Sequence, residues 1–247
     1  MSIRSLLALA LFLLPCRLVA QDARAARLEG KLDVETQAVV LRTLDSARTR
    51  GLPTEPLVDK ALEGATKRAA GSRIQFAVSS LLGRLEAARD ALAPNPSPRD
   101  ITAGADALAF GATREALKAM RAIRPNESVA VPLGVLTQLV ASGVPVRRAT
   151  RVVADLLRRG ARDEQLIALN DDVRSYVAAG ASPEVALDVR TRGLNAVLPP
   201  PGAAGVAGDA STTGLSTAEA SSREATRSAW STVSRAAPWT WGEHRSE

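Results

Sequence analysis

An all-α fold built from short antiparallel helical hairpins is what this sequence predicts. Three observations carry that expectation. The 247 residues are 46% hydrophobic but only 3% aromatic, so the core must be made of Leu, Val, Ile and Ala, which suit close-packed helices; Ala is the best helix former of all. Apolar residues recur at helical steps, and no stretch of the body alternates apolar and polar with period two over any length. The helical pattern is also interrupted repeatedly by a glycine followed, a few residues on, by a polar residue that can start a new helix.

The first segment, "MSIRSLLALALFLLPCRLVAQDA", is laid out as a secretory signal peptide over residues 1–20: a charge at Arg4, an apolar run from Leu6 to Leu14, and the small Ala20 before Gln21. The run is too short to span a bilayer, which takes about 20 apolar residues. Export to the periplasm or the medium is therefore expected, with no transmembrane span in the mature chain. The Ala-, Arg- and Gly-rich composition fits a bacterial source of high GC content. Cys16 is the only cysteine, and lipidation at "LLPC" is the minor alternative, weakened because Pro15 stands where such a signal wants a small residue. With residues 1–20 removed the mature chain has no disulfide, no thiolate nucleophile and no Cys-ligated metal.

Residues 21–198 form the predicted helical-repeat domain. Its breaks read "GLPTEPL" from Gly51, "GSRIQFA" from Gly71, "GATREAL" from Gly111, "GVPVRRA" from Gly143, "GARDEQL" from Gly160 and "GASPEVA" from Gly180. Glycine takes the left-handed conformation that ends a helix without a Cβ clash. Thr113, Asp163 and Ser182 are the expected N-caps, Pro183 the first helical residue, and Glu115, Glu164 and Glu184 lie in first turns, favourable to the helix dipole. Proline replaces glycine at two further breaks, "APNPSPRD" at 93–100 and "RPNES" at 124–128. Between breaks, Ile74, Val78, Leu81, Leu82, Leu85 and Leu92 share one stripe; so do Val152, Val153, Leu156 and Leu157, and so do Leu166, Leu169, Val173 and Tyr176. Eight or nine helices are expected from Asp33 to Arg192.

One helix of roughly 15 residues plus a turn, taken twice, gives a period of about 35 to 40, which belongs to helical-repeat arrays. The architecture resembles a short, irregular α-solenoid of the HEAT or armadillo kind, in outline only since no repeat signature matches closely; an irregular helical bundle is the competing arrangement. From residue 199 to 247 the chain is rich in Pro, Gly, Ala, Ser and Thr and is expected to be a disordered, flexible tail. It nevertheless holds all three tryptophans, Trp230, Trp239 and Trp241, a candidate docking motif.

Residues for catalysis are scarce. The only histidine is His244, near the end of the tail, where a catalytic base or metal ligand could not be held rigidly. No phosphate loop, dinucleotide fingerprint or nucleophile elbow is present, and no cofactor is expected. Asn126-Glu127-Ser128 fits a glycosylation sequon at a helix start, a match expected by chance. Asp171 and Asp172 are adjacent, about 100° apart on a helix, and share no face. The net charge of +6 falls to +4 in the mature chain, with acids interspersed, which reads as a mixed solvated surface; with export it argues against a nucleic-acid partner. The one basic concentration is Arg147, Arg151, Arg158, Arg159 and Arg162, a candidate patch for an anion, an acidic protein or an anionic envelope component. The expected function is an exported scaffold or binding module without catalytic activity, its partner a protein or an anionic envelope component. The alternatives are an envelope hydrolase using carboxylates alone and a peripheral membrane-associated protein.

Overall fold

The structure is a computed structural model that describes residues 26–199. The expectations placed on residues 1–20, on Cys16, on the chain beyond Pro199 and on Trp230, Trp239 and Trp241 lie outside the described residues. Every regular element among those described is helical: after a helical turn at 26–28 come α1 (Val34–Thr49), α2 (Glu55–Thr66), α3 (Gly71–Ala91), α4 (Pro98–Ala109), α5 (Arg114–Ile123), α6 (Ala130–Ala141), α7 (Val146–Arg158), α8 (Asp163–Ala178) and α9 (Pro183–Val197). The chain divides into two compact units, one through Leu133 and one from Gly134.

The glycine breaks obey a single local rule. Gly51, Gly111, Gly143, Gly160 and Gly180 all have positive φ. The N–H of the following residue returns to the carbonyl five positions back: Leu52 to Ala47, Ala112 to Ala107, Val144 to Leu139, Ala161 to Leu156 and Ala181 to Tyr176. This is the Schellman closure, which satisfies helix-end carbonyls and favours an apolar residue just after the glycine. Leu52, Ala112, Val144 and Ala161 are accordingly buried. Thr113 and Ser182 then cap the next helix, accepting from Ala116 N–H (3.2 Å) and Val185 N–H (3.4 Å).

Two breaks differ from expectation. Gly71 does not end a helix but begins α3; Arg68, at φ 52°, takes the left-handed place, and Ala69 N–H closes on Gly64 O. Gly71 is needed for proximity, because a Cβ there would come within 2.2 Å of Thr36 Oγ1. Asp163 is the first helical residue of α8 rather than its cap. The cap position falls to Arg162, whose N–H donates to Gln165 Oε1 (2.9 Å), so the return bond of a capping box is made without an Asp cap.

The apolar stripes are the core. Ile74, Val78, Leu81, Leu85 and Leu92 are buried, as are Val153, Leu156, Leu157, Leu166, Leu169 and Val173; Leu82 and Val152 are half-buried. Tyr176, expected to continue the α8 stripe inward, is instead 39% exposed. The last turn of α8 is exposed around nearly its whole circumference, so the stripe outruns the core. The Tyr176 ring is covered by the Arg190 guanidinium, 4.6 Å from its centroid, a cation–π contact.

In the first unit α1 and α3 run side by side and parallel: Gln75 reaches Thr36 near their starts, and Arg89 donates to Arg50 O (3.0 Å) near their ends. In the second unit arginines of α7 reach α9 in the same parallel sense, without the close packing of α1 on α3. Arg148 donates to Glu184 (3.1 Å) and Asp188 (2.5 Å) near the starts, and Arg159 donates to Asn195 O (3.3 Å) and Pro199 O (3.1 Å) near the ends.

Candidate functional site

The proline breaks of the first unit converge on one carboxylate. Ser97 caps α4 and forms a capping box with Asp100: Asp100 N–H donates to Ser97 Oγ, and Ser97 N–H donates back to Asp100 Oδ2. Asp100 is only 3% exposed. Its Oδ2 also accepts from Ser97 Oγ (2.9 Å) and Arg121 Nη2 (3.2 Å), while Oδ1 accepts from Ser128 Oγ and Val129 N–H, both at 2.8 Å. Val129 immediately precedes α6, so one carboxylate serves the N-terminal ends of two helices, where the dipoles favour negative charge. Arg121 completes the corner by donating to the carbonyl of Arg124 at the end of α5 and to that of Glu127 in the segment leading to α6. Burial pushes the Asp100 carboxyl up, but bonds from Ser128, Ser97 and Val129 outweigh it and hold the group below the ordinary Asp value.

A cavity of about 380 Å³ lies over this corner, lined by Pro94, Asn95 and Ser97 on one side and by Arg121 and the 125–128 segment on the other, with Asp100 at its floor. Its chemistry is largely spent, since both Asp100 oxygens are engaged. The other carboxylate on the cavity is Glu127, whose side chain is 73% exposed and lies 3.7 Å from Arg124.

Six residues further along α4 stands Asp106, which is not among the cavity-lining residues. Burial pushes its carboxyl up to about 6, and the cations Arg84 on α3 and Lys60 on α2 only partly offset this. Lys60 is itself 9% exposed and bonded to Glu63 (2.8 Å). Burial likewise lowers the Arg84 guanidinium from its ordinary value. Asp106 is thus half-protonated near pH 6 and mostly ionised at pH 7, held between helices and away from the cavity.

The predicted arginine patch is divided by the fold. Arg147, Arg151 and Arg162 are exposed, on α7 and at the start of α8. Arg158 is exposed but paired with Asp155 in its own helix (2.5 Å). Arg159 is used by the carbonyls at the end of α9, and Arg148 between them by two acids of α9. Arg147 and Arg151 stand one turn apart near the start of α7, whereas Arg162 lies beyond its other end. Of the two aspartates that attracted attention on α8, Asp171 is exposed and Asp172 pairs with Arg190 (3.2 Å); their neighbour Asn170 is buried and donates to Gln138.

Sequence reading passed over Asp100, Arg121, Asp106 and Arg84. The Ser97–Asp100 spacing was a legible signal, since a Ser followed three residues later by an acid is a helix-start signature. Asp106 gave none, because its setting is made by α2 and α3. Among the described residues no three of His, Cys, Asp and Glu gather as a metal site requires, and no helix is long and apolar enough to cross a membrane. Comparison with protein-family models, curated proteins and solved structures finds no match.

Proposed function

We propose that the protein is an exported helical scaffold, a short irregular stack of antiparallel hairpins that binds a partner on its open surface without catalysing a reaction. The observation that carries this reading is the parallel pairing of helices two apart in the chain, α1 with α3 and α7 with α9. With turns this short the intervening helix runs the opposite way, and hairpins laid side by side produce this pairing. Such arrays offer extended surface in place of a deep cleft. The export half of the proposal rests on residues 1–20, and the stretch from 200 to 224 is read as a flexible linker on its Gly-, Ala-, Ser- and Pro-rich composition. The exposed Arg147, Arg151 and Arg162 suit an acidic partner or an anionic envelope component.

The test is affinity capture from an envelope extract on the mature chain, with and without residues 199–247, beside a chain carrying Arg147→Glu, Arg151→Glu and Arg162→Glu. Saturable capture of one acidic component, lost in the charge-reversed chain, is the expected result. Turnover of an envelope polymer by the purified protein, abolished by Asp106→Asn, would replace the scaffold with the hydrolase. N-terminal sequencing that finds Met1 on protein recovered from the host would overturn export.

A further inference from the structure

The outer face of α9 is dressed for a partner rather than for water. Val185, Val189 and Val197 are 57%, 40% and 73% exposed. Gly193 and Ala196 are exposed as well, and Val185, Val189, Gly193 and Ala196 stand at steps of 4, 4 and 3, which is one stripe of a helix. The charged residues beside the stripe are Arg192, whose Nε donates back to Asp188 O (3.3 Å), and Asp188, whose side chain is taken up by Arg148 (2.5 Å). A Cβ added at Gly193 would meet nothing within 4 Å, so the middle of the stripe is smooth and open. An outer helix facing water ordinarily turns charged residues outward.

The chain itself supplies a cover. Forty-eight residues follow Pro199, and they hold every tryptophan of the protein. Ala225, Ala229, Val233 and Ala236 are spaced 4, 4 and 3 apart, with Trp230 beside them and Trp239 and Trp241 just beyond. We propose that the segment from Ala225 to Trp241 folds back in the same molecule and packs on the Val185–Val189–Gly193–Ala196 stripe of α9. The intervening stretch is long enough. A Gly-, Ala- and Ser-rich linker of about 25 residues has a root-mean-square reach of about 28 Å, against about 22 Å for the length of a 15-residue helix. A short linker of that kind also holds its end at an effective concentration of about a millimolar, so a weak apolar contact suffices. Small residues at the centre of the stripe leave room for an indole, the largest apolar side chain available. This inference stands on the α9 face and not on the hairpin-stack reading.

Tryptophan fluorescence of the full chain reads this segment alone, because all the tryptophans lie within it. The expected result is blue-shifted emission, shielded from acrylamide and independent of protein concentration. Val189→Asp, at an exposed position outside the core, should move the emission to the red and raise acrylamide quenching about twofold as the docked fraction falls, with the helical melting curve unchanged. Val185→Asp repeats the test should Val189→Asp alter that curve. Water-exposed emission in the unaltered chain, or emission indifferent to both variants, would overturn the docking while leaving the stack reading to its own experiment. Blue-shifted emission that is lost on dilution would also overturn it, assigning the face to a second copy of the chain.

Discussion

Asp100 and Asp106 stand on the same helix, six residues apart, and their carboxyls are driven in opposite directions. Asp100 is buried, yet it stays ionised, because two serines, two helix starts and an arginine all donate to it. Asp106 has cations in reach, but burial prevails and it holds a proton up to about pH 6. The difference teaches that burial alone does not set the charge of a carboxylate. Donors aimed at its oxygens, the hydroxyls of Ser128 and Ser97 first and the backbone N–H groups at the helix starts after them, outweigh desolvation where nearby charges do not.

The largest break in that comparison should come from removing one side of the Asp100 corner. Asp100→Ala leaves Arg121 buried without its counter-ion and frees Val129 N–H, and should lower stability by about 3 kcal/mol or more; chemical denaturation measures it. Arg121→Ala should cost a similar amount, and the double variant less than the sum of the two, since the residues share a network. A loss below 1 kcal/mol would mean the corner opens to water.

Asp106→Asn should act the other way and stabilise the protein at pH 7. The folded-state value of about 6 exceeds the ordinary 3.8, so between those values the folded chain keeps a proton that the unfolded chain has lost. Stability therefore falls as pH rises from about 4 to 6, by up to about 3 kcal/mol at 1.36 kcal/mol per pH unit. Asp100 has the opposite sign: its depressed value gives stability that is present above 3.8 and lost as pH falls through the still lower folded value. Melting temperature against pH should therefore peak near pH 4, and Asp106→Asn should flatten the side above the peak while leaving the acid side unchanged. A profile still falling between pH 4 and 6 in that variant would place the slope elsewhere.

Smaller effects sharpen the contrast between corners held by a carboxylate and corners held by glycine. Gly160→Ala forces a side chain into φ 76° and should cost about 1 kcal/mol. Thr113→Ala removes the cap of α5 and should cost about 1 kcal/mol. Either loss, read by thermal unfolding, should be well below that of Asp100→Ala.

The legible part of this fold was the part written in local chemistry. Gly51, Gly111, Gly143, Gly160 and Gly180 each close a helix through bonds within six residues, so turns and helices follow from adjacent letters. Gly71 misled because its reason is Thr36, thirty-five residues away. Tyr176 misled because periodicity gives the side of a helix but not how far its neighbours extend along it. The Asp100 corner was half visible: Ser97 and Asp100 announce a helix start, whereas Arg121, Ser128 and Val129 are brought in by the path of α5. The arginine patch was seen as a charge pattern, and its division needed the acids and carbonyls of α9.

The bonds that tie helix to helix have a kinetic meaning. Those of the Asp100 corner join residues 21 to 29 apart, and those of the α1–α3 and α7–α9 pairs span 36 to 40. Each contact requires only about one hairpin of chain to be closed. Loop-closure entropy is then met in small instalments, the condition under which local helical proteins fold fast. A chain that emerges amino end first, as every chain does from the ribosome, can therefore set each hairpin as soon as it is out, without waiting for the other end.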